Sequence, residues 1–185
     1  MNMDLYQHSD YYIDLLNDTV KKINTLEIDK LIQKIQNSQS IFLLGKGRTG
    51  LVIAMFAMRL THLGFQVHLI GQPTTPRMNS GDLFILASGS GETEGVILSA
   101  KQAKKINGDL FGLTMSPNST LCSLCQNNLY IPCDFFKKNT PKNKVQTGTI
   151  FEQTLFLTLD CIVAILAERT NQDFSKMSER HANIE

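Results

Sequence analysis

The sequence carries no marked excess of charge. Eighteen Lys and Arg against seventeen Asp and Glu give a formal net charge of +1, which exerts no general pull on nucleic acid or on a membrane surface. Neither partner is expected, and an anion can be held only by a local arrangement. The first ten residues, "MNMDLYQHSD", contain no basic n-region and no apolar h-region, so they do not read as a secretory signal. A long uncharged apolar run is missing too. The most lipid-like segment, "TIFEQTLFLTLDCIVAILAE", is interrupted by Glu152, Gln153 and Asp160, short of the roughly 18 apolar residues a span needs. It reads as a buried helix of a soluble protein.

Cysteine is scarce: Cys122, Cys125, Cys133 and Cys161. "CSLC" at 122–125 has the C-x-x-C spacing, but no second pair and no His-x-x-x-His follows to complete a zinc set. No metal site is expected. A redox pair stands as the alternative to two small residues sharing a short helix face. Without a secretion signal, reduced thiols and a cytoplasmic protein are expected. Internal repeats, low-complexity tracts and domain linkers are also lacking.

What is present is an ordinary globular composition, 42% hydrophobic and 19% charged over 185 residues. That length suits a single domain, 1–185, able to bury roughly 70% of its unfolded surface. Residues 4–37 read helical, with Leu15, Leu16, Val20, Ile23, Leu31, Ile32 and Ile35 at three- and four-residue spacings. Short apolar runs then alternate with helix-length segments. The candidate strands are 41–45, 65–70, 83–87, 110–114 and 129–132. Helices are expected near 49–63, ended by Gly64, and 92–106, ended by Asn107 and Gly108, with a short helical turn near 119–125.

This alternation predicts an α/β fold, a three-layer sandwich with a five-stranded parallel sheet flanked by helices. N-terminal helices would occupy 1–40, the parallel core 41–132, and C-terminal helices and tail 149–185. Functional loops would collect at the carboxyl ends of the strands. The one long connection without a clear element, 133–148, holds four Lys against one Asp and reads as a functional loop or a solvated one.

Two strand-to-helix turns stand out. In "IFLLGKGRTG", Gly45, Gly47 and Gly50 have the G-x-G-x-x-G spacing of a dinucleotide site. Such a site needs an acidic residue about 20 positions on to bond the ribose. No Asp or Glu occurs between Gly45 and Gly81, and Arg77 is only a distant candidate for the Arg an NADP site would want, which disfavours the nicotinamide reading. The second turn, "SGSGET", follows the third strand directly. Ser88, Ser90 and Thr93 supply hydroxyls, Gly89 and Gly91 let a ligand approach the backbone, and a helix start supplies N–H donors. The group fits one phosphate monoester. Ser90 as a plain helix N-cap is the alternative. Glu92 should turn away from the anion or meet a sugar hydroxyl, and Arg48 and Thr49 face the same crevice or merely begin a helix.

Together "GKGRTG", "SGSGET", "GTIFEQ" and the terminal "RHANIE" resemble the motifs of the 6-phospho-3-hexuloisomerases, members of the sugar isomerase (SIS) group. The likeness runs from Ile41 to Glu185, with "FAMRLTHLGF" and "SPNSTL" fitting between. "SGSGET" marks the wider group, and "RHANIE" is the more specific. Two positions differ from the usual pattern. Lys46 stands where a small residue is usual, and the segment before Phe151 and Glu152 reads Gln146-Thr147-Gly148, one residue shorter. The resemblance implies a SIS fold and the interconversion of hex-3-ulose 6-phosphate and fructose 6-phosphate, after formaldehyde fixation in the ribulose monophosphate pathway. It also implies a homo-oligomer, dimer or tetramer, for which the apolar stretch 155–167 is suited.

Moving a ketone between neighbouring carbons requires one base and a group to steady an enediol oxygen, but no redox cofactor. Glu152 is the candidate base. Burial beside Phe151 would raise its pKa, whereas a helix-start position would hold it down. His181, through the "RHANIE" match, is implied as a proton shuttle or carbonyl polariser, and its place on a short tail suggests that it completes a neighbouring subunit's site. His62 and His68 read as structural, His8 as solvated, and Asp160 stays undecided. The competing readings are a sugar-phosphate-binding SIS module of a regulator, disfavoured by the short, non-basic N-terminal segment, and a SIS isomerase acting on another phosphosugar.

Overall fold

The structure, a computed structural model, describes residues 4–133 and 148–184. The sequence-predicted 133–148 loop, apart from Cys133 and Gly148, lies outside the described residues. Five parallel strands make one sheet in the order β2-β1-β3-β4-β5. They are β1 (Ile41–Gly45), β2 (Val67–Leu69), β3 (Leu83–Ala87), β4 (Asp109–Thr114) and β5 (Asn127–Tyr130). The helices are α1 (Leu5–Val20), α2 (Thr25–Asn37), α3 (Gly47–His62), α4 (Glu94–Lys105), α5 (Thr120–Leu124), α6 (Thr149–Arg169) and α7 (Phe174–Ser178).

The period of two in the strands feeds two separate cores. Ile41, Leu43, Leu83, Ile85, Phe111 and Leu113 pack on one face with α2, α3 and α6. Phe42, Leu44, Phe84, Leu86 and Leu110 pack on the other with α4 and α5. Strands buried on both sides read as continuous apolar runs, which is why β1 and β3 sit where the sequence puts them. The expected three-layer sandwich is the observed one.

Differences appear at the edges. β2 is confined to Val67–Leu69 rather than 65–70, a short edge strand of the kind that limits unwanted pairing. β5 begins at Asn127, two residues before the apolar run, because Phe111 and Gly112 already pair with Asn127 and Asn128. The region 4–37 is two helices. The Asn24 side chain accepts from the Leu26 N–H and starts α2 anew. α6 is long and apolar enough to cross a membrane, with a mean hydropathy of 1.8, yet half of that window is buried within the structure. Phe151, Leu155, Leu159, Ile162 and Leu166 are its core-facing residues, as expected of a buried helix.

The order of strands sets the position of the site. β1 leads through α3 outward to β2, whereas β3 pairs with β1 on its other side and leads outward through α4 to β4. Loops leaving the carboxyl ends of β1 and β3 therefore diverge to opposite faces and leave a crevice between them. Gly45 and Ala87, the last residues of the two strands, are register partners, so the two glycine-rich turns start level and side by side.

Candidate active site at the carboxyl ends of β1 and β3

In the first turn, Gly45 and Gly50 bring strand and helix together. A Cβ on Gly50 would lie 2.9 Å from the Gly45 carbonyl oxygen, and one on Gly45 would lie 3.0 Å from the Gly50 backbone. The fingerprint spacing thus serves close packing of α3 on β1. α3 starts at Gly47, two residues before the expected start.

Arg48 and Thr49, in the first turn of α3, both reach Glu152. The Arg48 Nε lies 2.6 Å from Glu152 Oε2, and the Thr49 hydroxyl donates to Oε1 across 3.4 Å. The carboxylate is only 12% exposed and the Arg48 side chain 56%. Glu152 occupies the first turn of α6, its N–H bonded to the Gly148 carbonyl at 2.9 Å. Phe151 turns into the core and lies against Gly89, with Cδ1 3.1 Å from where a Cβ on that glycine would stand. Glu152 therefore meets a cation where the sequence suggested an apolar wall, because its neighbour takes the buried position.

The second turn is knitted by its own hydroxyls. Ser88, 2% exposed, bonds the Thr93 hydroxyl at 2.8 Å and accepts from the Gly91 N–H at 3.1 Å. The Ser90 hydroxyl accepts from the Glu92 N–H at 3.2 Å. Gly91 has φ +68 and packs on Ser119 so closely that a Cβ would run into that side chain. α4 starts at Glu94, two residues after the expected start, and its N-cap is Thr93, three residues after Ser90, which was the capping candidate. Thr93 makes no side-chain cap bond, so the first-turn N–H groups of α4 stay available to a ligand.

Glu92 reaches to the start of α5. Its Oε1 accepts from the Thr120 N–H at 2.7 Å, and that backbone bond holds its carboxyl below the ordinary 4.5. It ties the second turn to the start of α5. Residues not singled out by sequence reasoning complete the loop's support. Thr114 and Ser116 hydroxyls and the Met115 N–H all donate to the Gly89 carbonyl, at 3.0, 3.3 and 3.2 Å. Their signal is a hydroxyl at the end of β4, the strand next to β3.

Seven of the described helix starts divide cleanly. α1, α2, α5 and α7 are capped by the side chains of Asp4, Asn24, Ser119 and Asp173. α3, α4 and α6 have no side-chain cap, and these three begin around the crevice.

His181 lies elsewhere. Its ring is 4.9 Å from that of His62, the last residue of α3, and Arg180 donates to the His62 carbonyl at 3.1 Å. Fourteen residues of α3 separate Arg48 from His62, about 21 Å of helix. The structure brings Arg48, Thr49, Glu152 and residues 88–93 together, and leaves His181 of the same chain at the opposite end. Cys122 and Cys125 are both free. Burial first, then the neighbouring Cys122, pushes the Cys125 thiol up to about 12, which opposes the thiolate a redox pair needs.

A model of the SIS domain matches residues 34–135. The chain is 37% identical over 184 residues to the 3-hexulose-6-phosphate isomerase of Bacillus subtilis (strain 168), covering 96% of this chain and 98% of that protein. It is 36% identical over 173 residues to the 3-hexulose-6-phosphate isomerase of Mycobacterium gastri, covering 93% and 87%. A solved structure from Methanococcus jannaschii, for which a molecular function of 3-hexulose-6-phosphate isomerase was inferred, superposes with a TM-score of 0.84 at 31% identity, covering 94% of this chain and 98% of its own. With fold, turns and relatives in agreement, the chain belongs to the SIS domain family and, within it, to the group of the 3-hexulose-6-phosphate isomerases.

Proposed function

We propose that this protein interconverts hex-3-ulose 6-phosphate and fructose 6-phosphate through an enediol. The observation that carries the reading is the meeting of three uncapped helix starts beside one largely buried carboxylate. The N–H groups at the start of α4 and the hydroxyls of Ser90 and Thr93 receive the phosphate, and the buried Ser88 holds Thr93 and Gly91 in place for it. Gly89 and Gly91 keep the backbone open to it, and Glu92 holds the turn against α5.

Glu152 takes the proton from C2 of the 3-ulose and returns it at C3, and the carbonyl moves from C3 to C2. One proton shifts between the neighbouring carbons and one between their oxygens, with no net change of oxidation state, so no redox cofactor is required. Of its two oxygens, Oε2 is engaged by Arg48 and Oε1 has only the long Thr49 contact. Oε1 is therefore the proton acceptor. Arg48 fixes the carboxylate, and its exposed guanidinium edge steadies the enediolate oxygen. In this reading Glu152→Gln lowers kcat about a thousand-fold while inorganic phosphate still binds. Unchanged turnover would remove Glu152 from the mechanism.

His181 serves as proton shuttle in a neighbouring copy's crevice, since the length of α3 keeps it from its own. The protein then works as a homo-oligomer, a dimer or tetramer. Mixed oligomers of Glu152→Gln and His181→Ala chains regain activity under this arrangement, and no recovery would rule out the shared site. The reading extends to one SIS unit spanning the whole chain, to the cytoplasm, and to a step after formaldehyde fixation in the ribulose monophosphate pathway.

A further inference from the structure

A phosphate dianion at the start of α4 meets two acidic residues on its own loop, Glu92 and Glu94. Glu92 is bonded to the Thr120 N–H, and Glu94 is exposed. Arg48, one of the two cations on the first turn, is engaged with Glu152 at 2.6 Å. The arrangement so far has hydroxyls and N–H donors for the phosphate but no charge of its own to set against it.

Lys46 is placed to supply that charge. It is the N-cap residue of α3, its side chain makes no cap bond, and it is exposed. Among the described residues its ammonium has no hydrogen-bond or ion-pair partner, and its carbonyl accepts from the Gly50 N–H. The stem crosses the crevice toward the other layer. Its Cε lies 3.3 Å from where a Cβ on Gly95 would stand, and Gly95 is the second residue of α4. The ammonium, one bond further on, is thereby brought to the first turn of α4. The absent side chain at position 95 is what leaves the path open.

We propose that Lys46 is a substrate-binding residue that reaches across from the β1 turn and closes the phosphate site at the start of α4. The proposal rests on the phosphosugar reading of the same crevice. It divides the two cations of "GKGRTG" between two tasks: Arg48 orients the base, and Lys46 neutralises the phosphate. Since the phosphate does not change during the reaction, the contact is the same in the ground and transition states and acts on binding.

The test is Lys46→Met, which keeps the aliphatic stem over Gly95 and removes only the charge, with Lys46→Arg as the charge-retaining partner. Steady-state kinetics with fructose 6-phosphate and inhibition by inorganic phosphate are measured at low and high salt. Loss of one charge-assisted contact raises KM and the phosphate inhibition constant in parallel by about ten-fold, with the smaller effect on kcat. The salt dependence of both constants flattens, and Lys46→Arg restores most of the loss. If KM and the inhibition constant stay unchanged in Lys46→Met while the enzyme still isomerises fructose 6-phosphate, Lys46 is outside the site and the functional reading stands. If the wild-type protein neither isomerises fructose 6-phosphate nor is bound by inorganic phosphate, the functional reading fails and takes this proposal with it.

Discussion

Among the described residues, four helices begin with a side chain closing their exposed N–H groups, and three begin without one. The capped set serves stability. Asp4, Asn24, Ser119 and Asp173 satisfy donors that would otherwise rely on water. The open set, α3, α4 and α6, surrounds the crevice between β1 and β3. There the hydroxyl best placed to cap α4, that of Thr93, bonds Ser88 instead. α5 sharpens the contrast because it begins at the same edge of the sheet, yet its donors are taken by both Ser119 and Glu92. Polar side chains at a helix start thus have two uses, and the difference lies in whether the donors are consumed or left for a ligand.

Substitutions can break this contrast in graded ways. Gly91→Ala has the largest structural effect, since it places a Cβ against Ser119 at φ +68. It destabilises the protein by about 2–3 kcal/mol and abolishes phosphate binding, measured by thermal melts with and without inorganic phosphate. An unchanged melt and unchanged binding would mean that the turn tolerates a different path.

Next come paired substitutions on the two sets. Asn24→Ala removes a capping bond and lowers stability by about 1 kcal/mol, about 2–4 °C in Tm, with KM unaltered. Thr93→Val removes a hydroxyl from the open set and raises KM by about five-fold, with little change in Tm. A fall in Tm for Thr93→Val as large as for Asn24→Ala, without a change in KM, would place α4 in the capped set.

The smallest effect is at Glu92. Its carboxyl is held below the ordinary 4.5 by the Thr120 N–H. The contribution is present above the unfolded carboxylate pKa and is lost as pH falls through the lowered folded value. An NMR titration of the Glu92 carboxyl with a midpoint below 4.5 bears this out. A midpoint at or above 4.5 would mean that the bond to α5 does not hold the loop in solution.

Much of this was legible in the residues. β1, β3 and β4 are buried on both faces, so their apolar runs locate them within a residue. β2 was shorter than its apolar run and β5 was displaced by two residues, because edge strands pair through polar positions as readily as apolar ones. That "SGSGET" forms a tight turn at the start of α4 was readable because hydroxyls and glycines crowd one strand-to-helix junction. Long-range contacts were not readable. Nothing local shows that Arg48 and Thr49 would clasp Glu152, 104 and 103 positions away, or that Glu92 would bond α5. Lys46 appeared only as a departure from a pattern until its stem was seen beside Gly95. His181 carried its signal in a terminal motif, while its position beside His62 depends on how the tail folds back on α3.

The most direct measurement of the central claim is hydrogen exchange at carbon. The protein is incubated with fructose 6-phosphate in heavy water and the sugar is analysed by NMR. The account predicts deuterium at C3, beside the carbonyl, in the wild-type protein and none above background with Glu152→Gln. Tight binding of the sugar by the wild-type protein without any exchange would contradict it and leave a binding module in place of an isomerase.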